Sequence, residues 1–338
     1  MDYYFRENNI SISGNNYASI KDDLLKTLNF IENSNDLEEL LSFYTYLILF
    51  KPEILNNEFL SVVKNKLFEL SSLQKEKWSK VQKLAYEYSV SSDALMRSSF
   101  DYGFFQRQKD IIDSFFNKNT FSFDKFTPLS DKNIYFMLKK FYKDTNDYPS
   151  LCILYSLIDE KCIIDGSSKG SLGEVIFSNF TFNPYLKINR KNNFLDLITL
   201  VHEIGHIKYY YLALKDKNPI DINEFFYVKQ YVEAYPLYQE RKFLDYLLSE
   251  GVFTYDVKHF LVCELEQQNK YLEKLLDEPS VSDIRIINGK IGGNLLKNIS
   301  ESNDLISSSA DSSFYMNNFS KGERLNSVLD TINSIKKI

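Results

Sequence analysis

Several residue types and patterns that define particular protein classes are scarce in this 338-residue chain. The three cysteines, Cys152, Cys162 and Cys263, are too few and too widely spaced for a disulfide framework, so we expect reduced thiols in a cytoplasmic protein. The strongest apolar stretch, near 44–50, is too short to span a bilayer. Residues 1–7 do not begin the basic-then-apolar pattern of a signal peptide. We therefore expect no membrane partner.

The chain also lacks the positive charge of a nucleic-acid-binding protein. Its formal net charge is −6 and its pI is about 5.4, and no basic block is interleaved with aromatic residues. These values exclude nucleic acid as the expected partner. Residues of hydrophobic type make up 44% of the chain, enough for a large core in one or two domains.

Histidine is rare, and its distribution is the most informative feature of the sequence. Only three histidines occur, and two of them, His202 and His206, belong to one H-E-x-x-H motif. Positions i and i+4 of a helix lie on the same face, so both imidazoles can bind one Zn²⁺. Glu203, the next residue along, is then placed to act as a general base on water. The third histidine, His259, is expected at the surface or at a helix cap rather than at the metal.

The residues around the motif predict the helix that it needs. Asn193 is a good N-cap, Asp196 follows in an arrangement like a capping box, and apolar residues recur at helical spacing. We expect a helix from about Phe194 to Leu214. The alternative is a chance H-E-x-x-H on an ordinary core helix.

A catalytic zinc site needs a third protein ligand, and the downstream candidates are Glu224, Glu233 and Glu240. We favour Glu233. A second long helix is expected over about 223–250, ending at Gly251, and Pro236 is expected to kink it within one turn of Glu233. The alternative for Glu233 is an ordinary solvated charge.

The order and spacing of further residues resemble a known family. The similarity covers about residues 160–250: Asp165, Gly170, Gly173-Glu174, Asn183-Pro184-Tyr185-Leu186-Lys187-Ile188-Asn189, the run from Asp196 to His206, and the pair Glu233 and Glu240. This series is similar to the core of the thimet oligopeptidase and oligopeptidase F family of zinc metallopeptidases. The chain has about half the usual length of that family. It carries Lys208-Tyr209-Tyr210-Tyr211 where relatives usually have another histidine.

The resemblance implies a fold, a cofactor and several site residues. It implies a mainly α-helical zinc-peptidase fold with a small β-sheet beside the H-E-x-x-H helix. It also implies one Zn²⁺ per chain, held by His202, His206 and Glu233. An edge strand near Gly173 is expected to bind the substrate backbone. Tyr315, in Phe314-Tyr315-Met316-Asn317-Asn318-Phe319-Ser320-Lys321-Gly322, is the expected oxyanion donor. A competing alignment places that helix at 284–297, through Gly289, and leaves no tyrosine.

The remaining pattern divides the chain into an N-terminal helical region, 1–145, and a catalytic region, 146–338, which are compatible with one continuous domain. Amphipathic helices are expected near 36–51, 57–70, 75–98 and 104–117, strands near 151–155, 162–164 and 185–188, a helix over 255–276 and a loop over 301–313.

These features predict a zinc-dependent metallopeptidase that hydrolyses oligopeptides, with Glu203 as general base. Two alternatives stay open. One is a zinc-containing pseudoenzyme or peptide-binding module, and the other is a specialised protease for a single peptide or host protein. The oligomeric state is left open by the sequence.

Overall fold

A computed structural model describes residues 75–98, 100–159, 163–165, 172–177, 184–214, 233–297 and 319–338, and the single positions 29, 69 and 72. Helices dominate these residues, which confirms the predicted mainly α class. The helices are α1 (Lys75–Ser98), α2 (Tyr102–Phe116), α3 (Asp131–Asp144), α4 (Tyr148–Asp159), α5 (Phe194–Leu214), α6 (Ala234–Ser249), α7 (Thr254–Asp277), α8 (Val281–Leu296) and α9 (Lys321–Lys337). The strands are β1 (Ile163–Asp165), β2 (Gly173–Phe177) and β3 (Pro184–Ile188).

Helices with a regular apolar period form close to where the sequence predicts them. The stretches predicted at 75–98, 104–117 and 255–276 correspond to α1, α2 and α7. In α2, the side chain of Asp101 accepts a hydrogen bond from the backbone N–H of Phe104 and caps the helix. Phe105, Ile112 and Phe115 then form its buried face. The helix predicted near 36–51, the loop at 301–313 and, apart from the helical position Glu69, the helix predicted near 57–70 lie outside the described residues.

The strand predicted at 151–155 is wrong, because this run lies inside α4. Asp147 starts the helix: its carboxylate accepts hydrogen bonds from the backbone N–H and the hydroxyl of Ser150. Leu151, Leu154 and Ile158 recur at helical spacing and are buried. A short apolar run is compatible with both a buried strand and a buried helix. Here the capping hydrogen bonds of Asp147 favour the helix.

The three strands form one small sheet in the order β1-β3-β2. β3 pairs in parallel with β1 and antiparallel with β2. Leu186 and Ile188 of β3 are fully buried on the face that packs toward α5. The predicted sheet beside the H-E-x-x-H helix is therefore confirmed, with β2 as an outer strand.

The apolar core extends across the predicted boundary at residue 145. The ring of Phe141 in α3 contacts that of Phe243 in α6, with centroids 4.9 Å apart. Cys152 and Cys263 are exposed free thiols, and Cys162 lies outside the described residues. Across the described part of the chain, none of the helices combines the length and apolar character needed to cross a membrane.

Candidate metal centre

Helix α5 carries the H-E-x-x-H motif and has the bounds that the sequence predicts, Phe194–Leu214. The side chain of Asn193 accepts a hydrogen bond from the N–H of Leu195, at 2.9 Å. Asp196 reaches back to the N–H groups of Lys191 and Asn192, at 2.9 and 2.8 Å. This differs from a regular capping box, in which the acid would bind the N–H of the N-cap residue itself. The start of α5 is nevertheless set by local hydrogen bonds, as predicted.

Helix α6 begins later than the predicted 223–250, and this changes the role of Pro236. The helix starts at Ala234, directly after Glu233, so Pro236 lies in its first turn. The N–H groups of a first turn have no partner within the helix, so proline costs no hydrogen bond there. Pro236 therefore removes no hydrogen bond of α6, and Glu233 lies directly before the start of this helix. The predicted kink involves the chain before residue 233, which lies outside the described residues. The predicted stop is confirmed, because Gly251 has a φ of 66° directly after the end of α6.

The start of α6 brings Glu233 to both histidines of α5. Glu233 Oε2 lies 3.2 Å from His202 Nε2 and 3.2 Å from His206 Nε2, and the two Nε2 atoms are 3.1 Å apart. The three donor atoms thus form a nearly equilateral triangle. Ligands bound to zinc at 2.0–2.1 Å with tetrahedral angles are about 3.3 Å apart. The spacing fits three ligands of one small divalent ion.

The site remains partly open to solvent. The side chains of His206, His202 and Glu233 are 12%, 18% and 31% exposed. Among the residues that the structure describes, no further His, Cys, Asp or Glu joins this group of possible ligands. A structural zinc site is usually closed by four protein ligands, whereas a catalytic site has three and an open position. The three described donors match the number of protein ligands in a catalytic site.

Glu240 contacts the far side of the His202 ring. Its Oε1 lies 2.5 Å from His202 Nδ1, which leaves Nε2 directed at the centre. A carboxylate in this position fixes the tautomer of a metal-binding histidine and makes it a stronger ligand. The sequence suggested Glu240 as an alternative ligand. The structure instead places its carboxylate at His202 Nδ1, on the side of the ring away from Glu233. Its seven-residue spacing from Glu233, two helical turns, was the available signal.

Glu203 is buried beside the histidines and lies against strand β2. Only 5% of this residue is exposed. A methyl group on Gly173 would lie 2.6 Å from Glu203 Oε1 and 2.7 Å from a methyl carbon of Thr199. A residue with a side chain would therefore collide with the carboxylate. Gly173, predicted as a substrate-binding residue, is placed where it lets a strand pass directly over Glu203.

Burial and charge perturb the titrating groups of the centre. Burial raises the pKa of Glu203 above its ordinary value. Burial acts against the charged ring of His202, but hydrogen bonds to Glu233 and Glu240 outweigh it and raise the pKa of His202 well above 6.5. Burial likewise opposes ionisation of Glu233, yet the charge of His206 and hydrogen bonds from both rings hold its pKa well below the usual range. Without a metal, the centre thus favours a negative Glu233 facing a positive His202 ring.

A close contact between α5 and α6 sets the distance of Glu233 from the motif. A methyl group on Gly205 would lie 2.9 Å from the Cα of Pro236. The two helix backbones approach at this point because Gly205 has no side chain. The glycine inside H-E-I-G-H therefore serves packing, a role that the motif alone does not indicate.

The remaining candidate residues from the sequence are Glu224, Tyr315 and His259. Glu224 and Tyr315 lie outside the described residues, so no role is assigned to them. His259 does not belong to the metal group and stacks between Phe123 and Phe126, with centroid distances of 4.5 and 4.0 Å.

Lys208 stands near the position where the resembling family usually has a histidine. Its ammonium group lies 3.1 Å from the carboxylate of Asp147, and both residues are buried. Lys208 therefore fixes α5 to the start of α4 and does not belong to the group of candidate metal ligands.

Comparisons with protein-family models, curated proteins and solved structures found no match to this chain. The functional assignment must therefore rest on the geometry and chemistry of the site itself.

Proposed function

We propose that this chain is a zinc-dependent metallopeptidase that hydrolyses peptide bonds in oligopeptides, and that it is a short relative of the thimet oligopeptidase and oligopeptidase F family. One observation carries the proposal: His202, His206 and Glu233 form a compact triangle of donor atoms, and a buried acid, Glu203, lies beside it. Two imidazoles and one carboxylate suit zinc and also ferrous iron. The acid directly after the first histidine favours zinc hydrolysis.

The charges around the centre support a divalent ion. Burial opposes ionisation of Glu264, but the charges of Arg241 and Lys290, with a smaller contribution from His202, hold its pKa below the usual range. Glu264 in turn accepts hydrogen bonds from Arg241, at 2.6 Å, and Lys290, at 3.0 Å. Among the described residues, the carboxylates of Glu203, Glu233 and Glu240 lie at the two histidines, and that of Glu264 is paired with the two cations. With neutral histidines this leaves two negative charges in excess, which one divalent ion would offset.

The chain's own residues supply the proton transfers of hydrolysis. When bound, zinc supplies Lewis acidity, which polarises the scissile carbonyl and lowers the pKa of water to about 7. Glu203 takes a proton from the attacking water as the new carbon–oxygen bond forms. It then delivers that proton to the amide nitrogen as the carbon–nitrogen bond breaks. The raised pKa of Glu203 suits this exchange, because a base works best when its pKa lies near the working pH.

The sheet supports an extended peptide as the substrate. Among the described strands, β2 is the outer one next to β3, and at Gly173 it passes over Glu203. A peptide that adds to this side of the sheet binds through main-chain hydrogen bonds and depends little on its sequence. Such binding suits a peptidase that accepts many oligopeptides.

The test combines metal analysis with a peptide library. Purified protein should contain one zinc per chain by elemental analysis and should cut many short peptides when loaded. Glu203→Gln should keep the zinc and lose about 100- to 10,000-fold in turnover, since it removes the proton acceptor. Glu266→Gln, a change of the same kind at an exposed position of α7, is the control and should keep full activity.

The outcomes separate this proposal from its alternatives. Zinc without any cleavage would favour a pseudoenzyme or a peptide-binding module, and a single product family would favour a specialised protease. Iron in place of zinc, or full turnover by the Glu203→Gln variant, would refute the proposed mechanism.

A further inference from the structure

Helix α8 packs across the beginning of α6 and carries two glycines on the contact face. Gly289 and Gly293 are four residues apart and therefore lie on one side of the helix. A methyl group on Gly293 would lie 2.7 Å from the Cβ of Leu237, in the first full turn of α6. The two helices approach closely only because both positions lack side chains.

Gly289 faces the third donor residue itself. A methyl group at this position would lie 2.6 Å from the Cβ of Glu233 and 3.4 Å from its Cγ. Carbon atoms in van der Waals contact are about 3.5–4.0 Å apart, so the two groups would have to separate by about 1 Å. The Cβ of Glu233 is the root of the side chain, and a rotamer change cannot move it away. The backbone at Glu233, or α8, must move instead.

The opposite side of α6 leaves little room for that movement. Gly205 of α5 approaches the backbone of Pro236 so closely that even one methyl group would collide there. The first turn of α6 is thus held between α5 and α8 at positions without side chains. Glu233 also spends no hydrogen bond on capping its own helix, so its carboxylate is available to the two rings. Metal–ligand distances tolerate errors of only about 0.2 Å.

We propose that Gly289 is a positioning residue for the metal centre: its lack of a side chain holds Glu233 at the distance that lets it complete the ligand triangle. The inference rests on the proposed function, because it treats Glu233 as a metal ligand. Gly289 acts through Glu233 and touches neither the metal nor a substrate.

The test is the zinc affinity of Gly289→Ala, measured by competition with a chromophoric chelator on the full chain. We expect the affinity to fall about ten- to hundredfold, the range seen when the support of a metal ligand is removed. Gly293→Ala is the matched control, because it adds the same methyl to the same helix pair but meets Leu237 in place of Glu233. It should lower the melting temperature and keep the wild-type affinity. Equal affinity losses in both variants would overturn the proposal.

A second measurement covers the case in which Gly289→Ala does not fold stably. In metal-free protein, Glu233→Gly removes the Cβ that the new methyl would meet, and glycine is tolerated at a position preceding a helix. The drop in melting temperature caused by Gly289→Ala should therefore largely disappear in the Glu233→Gly background. An unchanged drop would show that the methyl acts elsewhere, and the proposal would fail.

Different results would refute the proposed function and the role of Gly289. Wild-type protein that binds no zinc would refute the proposed function. Wild-type protein that binds zinc, together with a Gly289→Ala variant of equal affinity, would refute only the role of Gly289.

Discussion

Replacing Glu240 by glutamine tests how the centre keeps His202 ready to bind a metal. The change preserves the size and shape of the side chain and removes its charge. In the structure, Glu240 Oε1 lies 2.5 Å from His202 Nδ1, and Glu240 is 7% exposed. The contact is therefore a buried hydrogen bond to a carboxylate, the strongest kind that a neutral ring can make.

The expected loss follows from the strength of that bond. Hydrogen bonds to charged groups contribute about 1.5–3 kcal/mol, and each 1.4 kcal/mol is a tenfold change in a dissociation constant. Glutamine keeps part of the interaction, because its carbonyl oxygen still accepts a hydrogen bond from Nδ1. We therefore expect zinc affinity at alkaline pH to fall about ten- to hundredfold, in agreement with the effect of removing a carboxylate behind a metal-binding histidine.

The pH dependence of this loss distinguishes the mechanism from simple structural damage. In the metal-free wild type, hydrogen bonds to Glu233 and Glu240 outweigh burial and raise the pKa of His202, so a proton competes with the metal for the ring. Glu240→Gln lowers that pKa and weakens the competition. The difference in affinity between variant and wild type should therefore shrink as the pH falls toward 6.5.

The assay is chelator competition at several pH values, with Glu250→Gln as the control. Glu250 follows the last turn of the same helix and pairs with Lys140 at the surface, where such pairs contribute about 0–1 kcal/mol. Its zinc affinity should equal that of the wild type. A Glu240→Gln variant that matches the wild type at every pH, or shows a loss independent of pH, would refute the reasoning.

Two further predictions concern stability. Lys208→Met should lower the free energy of unfolding by about 3–5 kcal/mol, because it leaves Asp147 buried without its cation. Urea unfolding measures this change. A loss below about 1 kcal/mol, the contribution of an exposed ion pair, would contradict the prediction. The raised pKa of His202 stabilises the metal-free fold fully below 6.5, and this contribution is lost as the pH rises through the folded-state value. The melting temperature of metal-free protein should therefore fall as the pH rises over that range, whereas the increase in melting temperature caused by added zinc should grow. Melting temperatures that change in parallel with and without zinc would contradict the raised pKa of His202.

The parts of the fold that depend on local signals were predictable from the sequence. Helix α5 has the bounds expected from its apolar period and from Asn193, because its start is decided by hydrogen bonds within a few residues. Strand β3 and the stop of α6 at Gly251 followed from signals of the same short range. Where a local cap was overlooked, the prediction failed: Asp147 makes a helix of the run assigned to a strand.

The position of Glu233 was harder to predict, because long-range packing decides it. The sequence placed this acid near the motif through a helix and a proline kink, whereas α6 begins at the next residue. What brings its carboxylate to the rings is the approach of three helices at Gly205 and Gly289. A glycine inside a helix is a weak sequence signal, since it mainly indicates a lower helix propensity. Its meaning becomes visible only when the neighbouring helix is in place.

The proposed function would couple metal binding to the packing of the core. Without a metal, the excess of buried carboxylates favours a proton on the His202 imidazole, as the raised pKa of this ring indicates. In the proposed zinc enzyme a divalent ion would take over that role, and the helices that carry the candidate ligands are held together by contacts at Gly205 and Gly289. Because close packing transmits small displacements, a change at either glycine should reach the metal. The same tight contacts explain how a chain with so few histidines can build a three-ligand site: one carboxylate suffices if packing fixes its position.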